Sequence, residues 1–313
     1  MNKQLISLLL AALILLTQQT CYAQDKLIIL LDWFANPSHA PLFVAQQEGY
    51  FKEENLSVEL IGPADPAIPP KLVAVDQADI AITYEPQFIE QIDRGLPLVR
   101  IATLIDKPLN CLVVLADSPI HSIRDLKGKR IGHSSSGMTN VALDTMLRHN
   151  GLSLNDVEAI NVRYDLTQAL LAQKIDGVTG MMRTFEVIQL DLAGHPARIF
   201  LPENNGVPNY SELILVVNKN KMNDPRFPRF LAALKKGVQH LKRHPESSWV
   251  KFSTLHPILN NELNHRAWKA TLPYFANDPN YFNAKEWEKF IAFMRKNGLI
   301  NQTKSLTEYA VYL

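Results

Sequence analysis

Continuous apolar runs alternate with helix-like segments in the first third of the chain. The runs KLIILLDW (26–33), ENLSVELI (54–61) and ADIAITYEP (78–86) are expected to be buried strands, and a helix is predicted from about 41 to 52. Strands that are apolar along their whole length and are separated by helices are typical of parallel βαβ units with both faces of the sheet covered. The pattern therefore predicts an α/β lobe.

A second stretch repeats this order of elements. Strands are predicted at KGKRIGH (127–133), DVEAINVRYD (156–165) and KIDGVTGMM (174–182), with helices at 138–151 and 166–173 between them. Gly151 is a plausible residue at which the first of these helices stops. The repetition predicts a second α/β lobe built on the same plan.

Two further apolar segments connect these halves. LNCLVVLADSP (109–119) and SELILVVNKN (211–220) are expected to carry the chain out of the first lobe and back into it, which makes a two-strand hinge. We therefore assign residues 24–111 and 215–313 to lobe 1 and residues 112–214 to lobe 2. Apolar spacing of three and four predicts that the rest of the chain is mostly helical, at 228–245, 246–255, 261–275 and 283–300.

The N-terminal segment, residues 1–23, has the features of a secretory signal peptide. Lys3 gives it a positive start, residues 5–16 are nearly all apolar, and small residues precede a cleavage site after Ala23. A lipoprotein acylated at Cys21 is the alternative, but Gln18 and Thr20 fit a lipobox poorly. We expect export to the periplasm as a soluble protein, since no second hydrophobic span follows.

Charge and cysteine content narrow the class of partner. The chain has 32 basic and 31 acidic residues, and loss of Lys3 with the signal peptide would leave a net charge near zero. This balance, without a long basic run, argues against a nucleic-acid partner. Only Cys111 would remain after cleavage, so no intramolecular disulfide is expected, and its apolar neighbours predict a buried strand residue.

The loop LDWFANPSHAP (31–41) is the first candidate site. Ligands of parallel α/β sheets bind beyond the carboxyl ends of the strands, where loops meet helix N-termini. Trp33 could stack on a ring there, and Asn36 and His39 could form directed hydrogen bonds, with Ser38 as the helix cap. In the alternative interpretation Trp33 fills the core and Asn36-Pro37 only turns the chain.

Tyr84 and Glu85 end a neighbouring strand, and Arg183 and Glu186 end its counterpart in the second lobe. We expect all four to face the same crevice, where a carboxylate could accept hydrogen bonds from amino groups on a ring. A solvated turn at Tyr84-Glu85 and an internal pair between Arg183 and Glu186 are the alternatives.

Ser134-Ser135-Ser136-Gly137 begins the first helix of the second lobe, where free backbone N–H groups and hydroxyls bind carbonyls or anions. The segment matches neither a phosphate-binding P-loop nor a nucleophile elbow. His240 and His244 have the spacing of a helical metal pair but lie on a basic, solvated face, so no metal site is expected.

The quoted segments also carry a family resemblance. From LDWFANPSHAPLFVAQQEGY through ADIAITYEP and LPLVRIATLIDKPLN to SIRDLKGKRIG, the chain resembles the NMT1/THI5-like family, and the likeness extends over nearly all of the mature chain. One branch of this family binds thiamin pyrimidine precursors for ABC importers. The other branch consists of cytosolic enzymes that make the pyrimidine phosphate from pyridoxal phosphate and their own histidine.

The resemblance implies a type II periplasmic-binding-protein fold that closes around its ligand. It assigns a ligand-binding role to Trp33, Asn36, His39, Tyr84 and Glu186, which we extend to Glu85, Ser135, Ser136, Arg183 and Tyr210. The enzyme branch requires a lysine where this chain has Thr83, a histidine where it has Gln87, and a cysteine-rich run where it reads GVPNYSE (206–212). Thr83 has no amine for a Schiff base.

We therefore expect a monomeric, cofactor-free, non-enzymatic binding protein. Its expected ligand is a hydroxymethyl- or formylaminomethyl-pyrimidine precursor of thiamin, and its expected partner is an inner-membrane ABC permease. The alternatives are a pyridoxal-phosphate-dependent pyrimidine-phosphate synthase and a binding protein for another flat or sulfonate-type solute.

Overall fold

The computed structural model describes residues 24–134 and 142–313. The predicted signal peptide, Cys21, Ser135 and Ser136 lie outside this part of the chain. Ten strands in the described residues form two five-stranded sheets. The first sheet has the order β2-β1-β3-β10-β4, and its strands are β1 (Asp25–Leu30), β2 (Leu56–Ile61), β3 (Ile80–Thr83), β4 (Leu98–Ile105) and β10 (Leu213–Asn218).

The second sheet repeats this topology, with the order β7-β6-β8-β5-β9. Its strands are β5 (Asn110–Leu115), β6 (Arg130–His133), β7 (Glu158–Asn161), β8 (Gly177–Met182) and β9 (Ala197–Phe200). In each sheet four strands run in the same direction, and three of these lie side by side. The antiparallel strand, β10 or β5, comes directly after a chain crossing and separates these three from the edge strand, β4 or β9. The sheets are therefore mixed, with the parallel βαβ units that the apolar runs predicted.

The chain passes from one sheet to the other twice, and these two crossings lie just before β5 and β10. The first is the short segment between Ile105 and Asn110, and the second ends at Glu212. β5 belongs entirely to the second sheet and β10 entirely to the first. The predicted lobe boundaries, at residues 112 and 215, lie two residues after the start of these strands. Cys111 lies in β5, where it is buried and unpaired, as its apolar neighbours predicted.

Helices cover both sheets. In the first lobe they are α1 (Ala40–Gln47), α2 (Tyr50–Glu53), α3 (Pro69–Ala74) and α4 (Glu85–Asp93); in the second they are α5 (Asp144–His149), α6 (Leu166–Leu171) and α7 (Glu186–Leu192). The single helix predicted over 41–52 is two helices, because Gly49 adopts a left-handed conformation with φ of 78° that interrupts it. The sequence pattern did not predict α4.

The C-terminal third is helical, as its apolar spacing predicted. Its helices are α8 (Arg226–Arg243), α9 (Pro245–Leu255), α10 (Glu262–Thr271), α11 (Ala284–Lys296) and α12 (Leu306–Tyr309). They pack mainly on the first lobe, and their most extensive contact is that of α8 with α1. Within the described ranges, no helix is long and apolar enough to cross a membrane.

The crossing of α8 and α1 depends on a glycine. A Cβ atom on Gly237 would lie 2.5 Å from the carbonyl oxygen of Pro41 and 2.8 Å from the Cβ of Ala45. These distances are shorter than van der Waals contact, so the backbones approach this closely only because residue 237 has no side chain. The helix after the candidate loop is thereby fixed against the C-terminal region.

We predict that Gly237→Ala destabilises the protein by roughly 1–3 kcal/mol, the usual cost of overpacking, although alanine is the better helix former. Ala232→Gly, at an exposed position of the same helix, is the matched control and should cost about 1 kcal/mol through helix propensity alone. Urea denaturation measures both. A Gly237→Ala protein that is more stable than the parent would contradict this account of the crossing.

Candidate functional site

A narrow cleft lies between the carboxyl ends of the two sheets. Its walls bring together four of the residues predicted from sequence with five others: Trp33, Asn36, Tyr84, Ser134, Leu166, Gly180, Met182, Phe185 and Glu186. The walls leave about 10 Å³ for the centre of a water-sized molecule, which is about enough for one water. The lobes are therefore closed on each other, and a ring-sized ligand could enter only after they separate.

Trp33 joins the two lobes across this cleft. It follows β1 in the first lobe, yet its indole packs edge-on against Tyr164 of the second lobe, with ring centroids 4.5 Å apart. It belongs to the apolar cluster of the second lobe, together with Leu166 and Met181. Its Nε1–H is buried and has no hydrogen-bond partner among the described residues. Trp33 is thus both a core residue and an unused hydrogen-bond donor in the cleft wall.

Asp32 organises the side of the cleft formed by the first lobe. Its carboxylate is buried, with Oδ2 accepting a hydrogen bond from the Tyr84 hydroxyl at 2.7 Å and Oδ1 lying 2.8 Å from Nε2 of His39. The Nδ1 atom of His39 accepts from the backbone N–H of Asn36 at 3.4 Å. His39 therefore supports the cleft from behind and is not part of its lining.

The Tyr84 phenol stays protonated in this arrangement. Burial, followed by the charge and hydrogen bond of Asp32, raises the pKa of Tyr84 well above its ordinary value. The hydroxyl proton is committed to Asp32, so Tyr84 offers the cleft its ring and not a hydrogen-bond donor.

Asn36, rather than Ser38, caps the turn that leads into α1. Its side-chain oxygen accepts from the backbone N–H of Ser38 at 2.8 Å, and its Nδ2 donates to the Phe34 carbonyl oxygen at 3.0 Å. The expectation that Ser38 is the cap was wrong, because a one-turn 3₁₀ helix at Pro37–His39 precedes α1 and takes its cap from the residue before it.

Glu186 supplies the carboxylate of the cleft. It begins α7, and its Oε2 accepts from the backbone N–H of Met182 at 2.9 Å. Burial raises the pKa of Glu186 to about 7, against the lowering effect of that hydrogen bond. Near neutral pH the group is therefore poised between its two protonation states, and a ligand that donates hydrogen bonds would favour the carboxylate.

The structure places three predicted residues elsewhere. Arg183 forms an ion pair with Glu203, with Nη1 and Oε1 2.7 Å apart, and not with Glu186. Glu85 and Tyr210 line a separate cavity beside the chain crossings. Glu85 does not reach the cleft because successive residues at the start of α4 point in different directions. Tyr84 faces the cleft, whereas Glu85 turns toward Ser211. Ser135 and Ser136 lie outside the described residues, although their neighbour Ser134 does line the cleft.

Two buried carboxylates hold the chain crossings, and sequence reasoning missed one of them. The Oε2 atom of Glu212 accepts from the backbone N–H groups of Leu109 at 2.5 Å and Asn110 at 2.8 Å, so the second crossing holds the first. Glu85 accepts from the backbone N–H of Ser211 at 2.6 Å. Burial raises the pKa of Glu212 to about 7. The sequence signal that could have identified Glu212 is a glutamate placed directly before an apolar strand.

Apolar contacts of the cleft were also missed. Leu166, Met182 and Phe185 line it, and the Ser38 hydroxyl lies 3.7 Å from the Met182 sulfur across the lobes. Their sequence context, at the ends of predicted strands and helices, was the same as that of the polar candidates. Reasoning that looked only for polar and aromatic groups passed over them.

Of the two histidines with the spacing of a helical metal pair, His240 contacts Tyr50, and its Nδ1 atom lies 2.8 Å from the Tyr50 hydroxyl.

A family model described as NMT1/THI5 like matches residues 36–248, which include nearly all the cleft residues. The chain belongs to the NMT1/THI5-like family. A putative thiamine biosynthesis protein of Haemophilus influenzae is 47% identical over 291 residues, covering 93% of each chain. A formylaminopyrimidine-binding protein of Halalkalibacterium halodurans is 29% identical over 313 residues, covering 96% of this chain and 95% of the relative.

The family also contains enzymes. A 4-amino-5-hydroxymethyl-2-methylpyrimidine phosphate synthase of Saccharomyces cerevisiae is 26% identical over 289 residues, covering 88% of this chain and 84% of its own. Thr83 and Gln87 are the residues at which the resemblance to the synthase branch predicts a lysine and a histidine. The oxygen atoms of both side chains are buried and lack partners among the described residues.

The fold is that of periplasmic binding proteins. The alkanesulfonate-binding protein from Xanthomonas axonopodis, solved with MOPS bound, superposes with a TM-score of 0.73 at 15% identity, covering 93% of this chain and 98% of the other. The predicted fold class is therefore confirmed.

We predict that the free energy of unfolding falls as pH rises from about 4.5 to 8, and that Glu212→Gln flattens this fall by an amount on the order of 2 kcal/mol. The pKa of Glu212 rises from 4.5 to about 7 on folding. The folded protein therefore holds a proton that the unfolded chain has lost. The resulting stabilisation is complete below pH 4.5 and is lost as pH rises through 7.

Urea denaturation at a series of pH values measures this effect. Glu288→Gln is the control, since Glu288 is exposed on α11 and away from the crossings, and it should leave the pH dependence unchanged. Parallel curves for the parent and Glu212→Gln proteins would show that the crossing carboxylate does not titrate as described.

Proposed function

We propose that this protein is the exported solute-binding component of an ABC importer and that it binds a thiamin pyrimidine precursor of the hydroxymethyl- or formylaminomethyl-pyrimidine type. One observation carries the proposal. The closed cleft sets an unused donor, the Trp33 indole N–H, and a buried acceptor, the Glu186 carboxylate, among aromatic walls. A 4-aminopyrimidine offers the complementary acceptor and donor on one flat ring.

The aromatic walls suit a flat ligand. Trp33, Tyr84 and Phe185 line the cleft, and stacking of a ring on one of them contributes on the order of 1 kcal/mol beyond the burial of its area. Because the Tyr84 hydroxyl is held by Asp32 at 2.7 Å, its ring is fixed in place before a ligand arrives. A wall that is already ordered loses less conformational entropy on binding.

Glu186 supplies the directional contact. Its carboxylate would accept hydrogen bonds from the exocyclic amino group, which favours the charged form of a group whose pKa is about 7 when the cleft is closed. The same carboxylate argues against an anionic solute such as a sulfonate, because a second negative charge in a buried cleft is unfavourable. The likeness to the alkanesulfonate-binding protein is therefore a likeness of fold.

This chain lacks the side chains that the synthase reaction requires. Thr83 and Gln87 occupy the positions at which the resemblance to the enzyme branch requires lysine and histidine. Neither side chain forms an imine with pyridoxal phosphate or supplies an imidazole. The name of the relative from Halalkalibacterium halodurans, a formylaminopyrimidine-binding protein, supports the binding role instead.

Cellular location and delivery complete the proposal. Residues 1–23 would direct export and be removed, leaving a periplasmic, monomeric binding protein. Closure of the lobes around the pyrimidine would then present the loaded protein to an inner-membrane permease.

We predict that Glu186→Gln weakens binding of 4-amino-5-hydroxymethyl-2-methylpyrimidine and its formylaminomethyl analogue by about 10- to 100-fold, the effect of losing a charge-assisted hydrogen bond. Trp33→Phe keeps a ring but removes the indole N–H, and we expect about fivefold weaker binding. Isothermal titration calorimetry measures both. Trp249→Phe, a buried tryptophan on α9 outside the cleft, is the matched control and should bind normally.

The outcome also separates the alternatives. Binding of an aliphatic sulfonate that is stronger in Glu186→Gln than in the parent, with no heat from either pyrimidine, would contradict the proposal and favour an anionic solute. Formation of a yellow adduct with pyridoxal phosphate would favour the synthase branch.

A further inference from the structure

Tyr164 of the second lobe reaches across the rim of the cleft to the first lobe. It lies in the loop between β7 and α6, and its hydroxyl donates a hydrogen bond to the backbone carbonyl oxygen of Pro63, in the Pro-rich turn after β2. Its ring packs edge-on against Trp33, with ring centroids 4.5 Å apart. One side chain therefore makes both a polar and an apolar contact with the opposite lobe.

A second ring of the first lobe extends this contact. Phe34 is 45% exposed, and its ring centroid lies 6.1 Å from that of Tyr164 and 6.1 Å from that of Phe185, both in the second lobe. Two aromatic residues from each lobe thus meet at the rim. The exposure of Phe34 places this group of rings at the mouth of the cleft, where a ligand has to pass.

The hydrogen bond of Tyr164 differs from two other polar contacts between the lobes. Arg266 and Asp191 lie 3.5 Å apart, but their side chains are 48% and 63% exposed, and exposed ion pairs contribute little. The Ser38 hydroxyl lies 3.7 Å from the sulfur of Met182, which is a weak acceptor. The Tyr164 hydroxyl instead donates to a carbonyl oxygen beside packed rings. Separation of the lobes breaks this bond, because a donor and an acceptor more than about 3.5 Å apart no longer form one.

The closed form that contains this hydrogen bond has no room for a ring-sized ligand. The cleft leaves about 10 Å³ for the centre of a water-sized molecule, whereas the atoms of an inserted ring need roughly 3.5–4 Å to the wall on each side. The turn that carries Pro63 moves with the wall, since a Cβ atom on Gly62 would lie 3.7 Å from the backbone of both Trp33 and Phe34. A ring that parts the walls therefore also parts Pro63 from Tyr164.

We propose that Tyr164 is an affinity-determining residue, which latches the lobes in a self-closed form that the ligand has to displace in order to bind. The apparent affinity equals the intrinsic affinity reduced by the fraction of molecules that are competent to bind. A latch that stabilises the self-closed form therefore weakens ligand binding, and its removal strengthens binding. The existence of the latch does not depend on the identity of the ligand, whereas its effect on affinity rests on the function proposed above.

Double electron–electron resonance between spin labels on Lys71→Cys and Gln168→Cys tests the latch without any ligand. Both positions are exposed, one in each lobe, and Cys111 is replaced by alanine in every sample. We expect the parent to show mainly the short distance of the closed form. Tyr164→Phe keeps the ring but loses the hydroxyl, so the ratio of closed to open molecules should fall by about 2- to 10-fold, the effect of losing one hydrogen bond.

Tyr50→Phe is the matched control for this substitution. It also removes a tyrosine hydroxyl that lies within hydrogen-bond distance of a partner, His240 at 2.8 Å, but both residues belong to the first lobe. The distance distribution and the ligand affinity of Tyr50→Phe should equal those of the parent.

Isothermal titration calorimetry with 4-amino-5-hydroxymethyl-2-methylpyrimidine measures the consequence for binding. We expect Tyr164→Phe to bind about 2- to 10-fold more tightly than the parent. Damage to the cleft would weaken binding, so tighter binding separates a latch from a merely structural role.

Three results would overturn the proposal: a parent that is mainly open without ligand, weaker binding by Tyr164→Phe, or distances and affinity in Tyr164→Phe that both equal those of the parent. If neither protein binds a pyrimidine, the function proposed above fails, and the distance measurement alone then decides whether Tyr164 is a latch.

Discussion

The carboxylate of Asp32 is the constraint on which the arrangement of the cleft depends. A buried charge is tolerated only when its oxygens accept hydrogen bonds, and both oxygens of Asp32 are used, by the Tyr84 hydroxyl and by Nε2 of His39. These partners begin the helices that follow β3 and β1, so one side chain sets the spacing of two loops. His39 in turn accepts from Asn36, which fixes the turn after Trp33. The cleft wall of the first lobe is thereby ordered without a ligand.

Closure of the two lobes has a different physical basis. Across the cleft the contacts are apolar, with Trp33 packed on Tyr164 and Phe34 near Phe185, whereas the crossings are held by carboxylates that accept backbone N–H groups. Apolar contacts are non-directional and tolerate separation and reclosure. The hydrogen bonds of Glu212 and Glu85 instead fix where the chain bends. The directional contacts of the carboxylates therefore lie at the crossings, and the non-directional contacts lie between the lobes.

The sequence carried the architecture further than the site. Uninterrupted apolar runs such as KLIILL and LILVV are typical of strands in a sheet that is covered on both faces, so the strands and the two-lobed plan followed from the order of these runs and of the helix-like segments between them. The directions of the side chains did not follow from the sequence. Tyr84 and Glu85 are neighbours at a strand end, yet Tyr84 faces the cleft and Glu85 faces the chain crossing at Ser211. Arg183 pairs with Glu203, twenty residues away, a contact that the local spacing to Glu186 concealed. Such choices depend on tertiary packing.

The unpaired polar atoms of the two cavities differ in their surroundings. In the cleft the unused group is a donor, the indole N–H of Trp33, placed with an acidic group among rings. In the cavity beside the chain crossings the unused atom is Oε1 of Glu85, which is buried behind the wall. The other oxygen of that carboxyl group accepts from the backbone N–H of Ser211, so Glu85 holds the second crossing in place. The polar groups that stand ready for a flat ligand are therefore those of the cleft.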